Sequence, residues 1–353
     1  MPYCRKCGAK LDEDARFCHV CGTPVAAVVA AARPTAPKRR RPFYILPVAI
    51  LIAVLISAVV IGALVFLPFY PVHFNQTNQV PKTDMNNLFL EFQTDIAQVN
   101  IFFENLSGNM AVLNVTADGN VGILDDPNRA VNVTFSHHST NNSAIVIANV
   151  SRATRWPMLY NLNVNCDVYI DPSANLTVHV RSSVGNIVMD ADAEANLLIL
   201  DLQTATGSVD CSLSKGVIIA GDVSLHTTTG NVQFRMDEEE VIGSATVDLQ
   251  STTGSVNVDL TTTQKLSGNV TVNARTTTGS VNLRTIIDDD VGARIESQTV
   301  VGGINVDVQK FSGNQTSLQS DNYPAGSNFL VNLRTTTGGI NINAAYGSST
   351  VLS

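Results

Sequence analysis

With 353 residues, 44% of them hydrophobic and 15% charged, the chain is too apolar for a disordered protein. Its 23 Gly and 13 Pro are too few for a fibrous one. The net charge of −8 is unevenly placed: residues 1–71 hold nine Lys and Arg against three Asp and Glu, a net of +6, while residues 72–353 hold 13 against 27, a net of −14. Such a split marks segments in different surroundings.

The first segment, 1–24, contains Cys4-x2-Cys7-Gly8 and Cys18-x2-Cys21-Gly22. Two CxxC pairs let four thiolates converge tetrahedrally, and the Gly after each pair permits the tight turn that aims backbone N–H groups at sulfur. Cys4, Cys7, Cys18 and Cys21 are therefore expected to bind a structural Zn2+. Disulfides and a rubredoxin-like iron site are the alternatives, the first disfavoured by a reducing compartment. His19 is expected to face solvent rather than add a ligand. Residues 3–24 resemble the short zinc-ribbon modules at the N-termini of many prokaryotic membrane proteins. Four ligands leave no open position for catalysis, so protein docking is the expected role. Metal binding supplies most of the folding free energy of so small a module.

Residues 25–42 read as an Ala/Pro/basic linker. Residues 43–70 contain no charge and exceed the ~20 residues needed to cross a bilayer core, so a transmembrane helix is expected there. Lys38, Arg39, Arg40 and Arg41 precede it, and no further Lys or Arg follows until Lys82. The positive-inside rule then keeps the N-terminus cytoplasmic and places the C-terminal domain outside the cell membrane. Asn75, Asn105, Asn114, Asn132, Asn141, Asn149, Asn175, Asn269 and Asn314 begin N-x-S/T acceptors, all beyond the span, in keeping with a surface glycoprotein. Residues 71–84 read as a juxtamembrane linker and 347–353 as a C-terminal tail.

Between them, residues 85–346 repeat one phrase: HTTTGNVQFR, QSTTGSVNVD, RTTTGSVNLR and RTTTGGININ. Its Gly recurs at 185, 207, 230, 254, 279, 302 and 338, with gaps of 22, 23, 24, 25, 23 and 36. Apolar residues stand two and four places after every Gly and seven before it, the alternation of half-buried strands. Buried positions five before and two after lie an odd seven residues apart, so the chain must turn at the Gly. A corner fits better than a hairpin, because Thr-Thr is a poor two-residue hairpin turn. The fold class is thus mainly β, a β-solenoid with coils of 22–25 residues. The hydroxyl three places before each Gly is expected to satisfy backbone groups at the corner. The register extends to a coil about Ala97 and another about Gly119, and the 36-residue gap is expected to hold a loop over 310–327.

This segment resembles the putative adhesin family of β-repeat proteins, carried by DVYIDPSANLTVHVRSSVGNIVMD (167–190) and the TTTG-[SN]-V copies. The resemblance implies a rigid binding or scaffolding domain for an envelope or surface component, glycan or protein. TTTGSV here replaces the family's common SGDV form, which removes an Asp from each corner.

Asp190, Asp192 and Glu194, then Asp237 to Glu240, then Asp288 to Asp290 collect on one edge of the coil. Carboxylates suit Ca2+, but no DxDxDG or GGxGxD spacing is present, so a solvated edge that blocks aggregation is the preferred reading. Cys166 and Cys211, two coils apart in this register, stand ~9.6 Å from one another against the ~7 Å limit of a disulfide, so buried thiols are expected. His137, His138 and Trp156 read as loop and packing residues. No nucleophile elbow, phosphate loop or HExxH occurs, and neither enzymatic activity nor a nucleic-acid partner is expected. The alternatives to a membrane-anchored surface-binding protein are an envelope sensor signalling through the zinc ribbon and a carbohydrate-active enzyme on a β-helix.

Overall fold

The computed structural model describes residues 2–25, 45–65, 70–82, 85–122, 126–140, 142–153, 161–214, 216–237, 240–262 and 266–347. The linker expected over 25–42, its basic run and Trp156 lie outside the described residues, apart from Val25. The chain forms two compact units, Met1–Phe66 and Leu67–Ser353.

In the first unit, two small antiparallel bridges, Tyr3 with Lys10 and Phe17 with Pro24, bracket the two CxxC turns. Cys4, Leu11 and Cys18 form the buried centre, with Ala9 and Val25 against it. The same unit contains an α-helix over Ile45–Val65, with Pro47 in the first turn, where its missing N–H costs nothing. Twenty-one residues rise ~32 Å. Side chains are described for residues 47–60, which rise only ~21 Å against the ~30 Å of a hydrocarbon core. Among the described residues no helix is long and apolar enough to cross a membrane. The span expected over 43–70 extends beyond them at both ends.

The second unit is mainly β, built from an 11-stranded and a 13-stranded sheet. Each registered repeat gives one strand to each sheet: Asn175–Val184 lies in the larger and Ile187–Ala191 in the smaller, with Gly185 and Asn186 at the corner between them. The next repeats stack in parallel on the same pattern, Val178 beside Leu200 and Ile187 beside Val209. The apolar columns before and after the Gly point into one shared core that runs the length of the stack. The corner therefore forms where side-chain parity requires it. Hydroxyls of Thr204, Thr227, Ser251, Thr276, Thr299 and Thr335 each donate to the carbonyl of a Gly in the adjoining coil at 2.8–3.0 Å.

The stacking order departs from the chain order at both ends. The last coil, Asn328–Thr337 with Ile340–Tyr346, does not stack beyond Gly292–Val301 and Ile304–Gln309 but lies between them and Val270–Thr278 with Val281–Ile287. Likewise Asn87–Ile96 and Gln98–Phe103 sit one layer inside Ser143–Arg152 and Asn161–Ile170. Interchangeable Val, Leu, Thr and Gly columns permit this, since any coil presents the same face to any other.

Three expectations are corrected here. Gly119 lies inside an antiparallel strand, Asn109–Val121, rather than at a coil corner. The supposed linker 71–84 contains the strand Tyr70–Pro81, paired antiparallel with Asn109–Val121; only Val72 and Val80 are buried in it, so its polar middle hid it. The 310–327 segment holds a hairpin, Phe311–Asn314 and Ser317–Ser320, that covers the edge of Gly292–Val301. Ile304–Gln309 is the edge of the smaller sheet, which is why its inward Ile304, Val306 and Val308 are only half-buried.

Candidate metal centre

The two CxxC turns are built alike. The Gly8 N–H donates to the Cys4 carbonyl at 2.8 Å and the Gly22 N–H to that of Cys18 at 2.8 Å. Both glycines take the left-handed conformation that such a turn demands, with φ of 71° and 65°. The turns bring the ligand sulfurs of Cys4, Cys7, Cys18 and Cys21 within 4.8 Å of one another. Cys4 Sγ lies 3.5 Å from Cys21 Sγ and Cys7 Sγ 3.6 Å from Cys18 Sγ. A tetrahedral zinc with Zn–S bonds of ~2.3 Å places its sulfurs ~3.8 Å apart, so the group fits that ion. His19 is exposed, as expected.

The electrostatics of this group favour a cation. The Thr23 hydroxyl and amide bring the Cys21 thiol down to about 6. At Cys7 the backbone amide of Ala9 pulls downward, but the Cys21 thiol, burial and the thiols of Cys18 and Cys4 prevail and push it up to about 12. Amides of Lys6 and Cys7 lower Cys4. Four sulfurs this close cannot all ionise without a positive charge among them, which a Zn2+ held by them would supply.

Among the described residues the four cysteines are the one group placed to hold a metal. The acidic residues Asp190, Asp192, Glu194, Asp237 and Asp288 to Asp290 lie at or beside the bends returning from the smaller sheet to the larger. Some are structural: the Asp289 carbonyl accepts from Tyr346 Oη at 2.5 Å and from Asn322 Nδ2 at 2.8 Å. Cys166 and Cys211 are buried and form no disulfide. The strands Asn161–Ile170 and Val209–Leu213 stand three steps apart in the sheet, not two, because Gln98–Phe103 intervenes. Burial, helped by Asp167 and Asp95, pushes the Cys166 thiol up to about 12.

His137 and His138 lie exposed on the edge strand Val131–Ser139. Of the Asn acceptors, Asn175 Nδ2 donates to Asn87 at 3.0 Å and Asn269 Oδ1 accepts from Asn328, so both amides are engaged in the fold. Asn282 belongs to a ladder running Asn305, Asn341, Asn282, Asn257 with amide bonds of 2.7–2.9 Å.

Sequence reasoning passed over the position four before each Gly, which carries Arg181, Gln203, His226, Gln250, Arg275, Gln298 and Arg334. These side chains line the outer face of the larger sheet, in two depressions of about 350 and 300 Å3 that share Gln250. The signal was present, because every copy has a long polar group there, but the variation in residue type concealed it.

Residues 3–25 match the zinc-ribbon domain family. No curated protein matches the chain. Among solved structures, a putative cell adhesion protein from Clostridium sporogenes ATCC 15579 is similar at 11% identity, over 78% of this chain and 99% of that one, with a TM-score of 0.41. A putative adhesin from Bacteroides fragilis NCTC 9343 is similar at 12% identity, over 76% and 97%, with a TM-score of 0.34.

Proposed function

We propose that the chain is a single-pass surface protein, whose β-domain is a solenoid that binds or scaffolds envelope material outside the membrane and whose zinc ribbon docks a protein in the cytoplasm. The observation that carries this reading is the helix Ile45–Val65, 21 residues without a charge. Its apolar side chains Leu51, Val54 and Val59 are each exposed by more than half. A helix whose described apolar side chains are exposed on every face is stable when lipid covers it. The basic run 38–41 on its N-terminal side supports the inward orientation of the ribbon. Tyr3, Phe17 and Val20, each more than 60% exposed on a module with almost no core, support docking of a partner there.

Protease added to intact cells is expected to remove the β-domain and spare the ribbon. The reverse pattern overturns the topology. Retention of full-length protein by a preparation of the cell's own envelope, lost when the β-domain is removed, tests the binding role.

A further inference from the structure

The outer face of the larger sheet carries a polar trough made of two adjoining depressions that share Gln250. Arg181, Gln203, His226, Gln250, Arg275 and Arg334 are successive register partners on neighbouring parallel strands. At ~4.8 Å per strand these six span ~24 Å along the stack. The hydroxyls of Thr228, Thr252, Thr277 and Thr336 line the same depressions.

Charge is not balanced along it. Arg181 is 3.6 Å from Asp201, and Asp248 pairs with Arg275 while lying 3.4 Å from His226. Among the described residues no carboxylate pairs with Arg334: its register partners are Arg275 on one side and Gln298 on the other. Glu296 on the outer strand is turned to Arg294 at 2.5 Å. Two arginines directly opposite on adjacent strands repel, in a domain whose net charge is −14. The smaller sheet's outer depression, about 530 Å3, is a weaker candidate, since its asparagines bond one another and its Arg284 stands opposite Asp259.

We propose that the trough binds a linear anionic polysaccharide, with a carboxylate or sulfate group held between Arg275 and Arg334. This rests on the surface-binding reading above and names its ligand class. Guanidinium forks pair bidentately with either anion. The amides and threonine hydroxyls repeating at each strand match the repeating hydroxyls of a sugar chain, and among the described residues lining the two depressions only Ala205 and Val300 are apolar, which argues against a peptide anchored by its side chains.

The test uses the full-length protein in detergent micelles over immobilised oligogalacturonate, dextran sulfate, neutral dextran and poly-glutamate. Binding to oligogalacturonate or dextran sulfate, whichever anion is preferred, is expected to weaken at least tenfold in Arg334→Gln and further with Arg275→Gln added. It is expected to weaken with salt and to be absent on neutral dextran. Arg284→Gln, on the other sheet, serves as the control and keeps wild-type binding, and all variants keep the wild-type unfolding midpoint. The proposal is overturned if no anionic glycan is bound, if the double variant binds as wild type, if Arg284→Gln loses as much, or if poly-glutamate is held more tightly. Capture of wild type and double variant alike by whole envelope would sink the trough and leave the surface-binding role standing. Failure of the wild type to bind envelope would remove both.

Discussion

Thr276 Oγ1 donates to the Gly254 carbonyl at 2.8 Å, joining the corner of one coil to the corner of the next. Thr276 is 6% exposed, so the bond is shielded from water, and it repeats along the stack as a column. Thr276→Val keeps the shape and deletes the donor. Urea unfolding is expected to show a loss of about 1–3 kcal/mol, largely recovered by Thr276→Ser. Wild-type stability in the valine variant would show that the column contributes nothing.

The same corners need Gly for two separate reasons. At Gly254 φ is +142°, and a Cβ would stand 1.9 Å from the Gly230 carbonyl oxygen of the adjoining coil. Gly254→Ala is expected to cost about 3 kcal/mol or more, since it adds backbone strain to a clash that backbone cannot relieve. Gly303→Ala, where no atom lies within 4 Å of the added Cβ, is the control and should be close to neutral. Equal unfolding midpoints for the two variants would contradict the argument.

Lys82 and Asp171 form an ion pair at 2.9 Å with the carboxylate almost wholly buried. Asp171 also accepts from the amides of Leu106 and Ser173 and from the Ser173 hydroxyl. Burial opposes its ionisation, but Ser173 and Lys82 together outweigh it and hold the carboxyl below the ordinary range. A depressed folded value stabilises above the unfolded pKa of ~3.9 and is lost as pH falls through the folded value. Stability should therefore decline below about pH 4, and Asp171→Asn should remove part of that decline. Lys82→Met leaves the carboxylate with its other donors, so a cost toward the lower end of about 3–5 kcal/mol is expected. Urea midpoints from pH 2.5 to 6 check both.

One zinc per chain is expected by elemental analysis of the purified protein, and Cys4→Ser should abolish it. A chelator should strip amide protection from residues 3–25 while leaving that of the second unit unchanged, because the β-domain has its own core. Loss of β-domain protection on chelation would show that the two units are energetically linked.

The zinc ligands and the coil corner were legible in the sequence because both are local. Cys4 with Cys7 and Cys18 with Cys21 meet through turns of a few residues, while the parity of apolar positions about Gly254 or Gly279 demands a turn and the Thr-rich turn sequence favours a corner over a hairpin. The coil order was not legible, for the same reason that the repeat was: each coil offers its neighbours the same Val, Leu, Thr and Gly columns, so spacing along the chain says nothing of which coil stacks on which. Tertiary structure decided that the last coil enters between two earlier ones, that a hairpin covers one edge of the larger sheet, and that antiparallel strands cap the other end of both sheets. That choice alone places Arg334 directly beside Arg275. The sequence holds the two arginines in equivalent repeats, but only the intercalated stack makes them neighbours, because strand pairing rather than chain order sets which side chains share an edge.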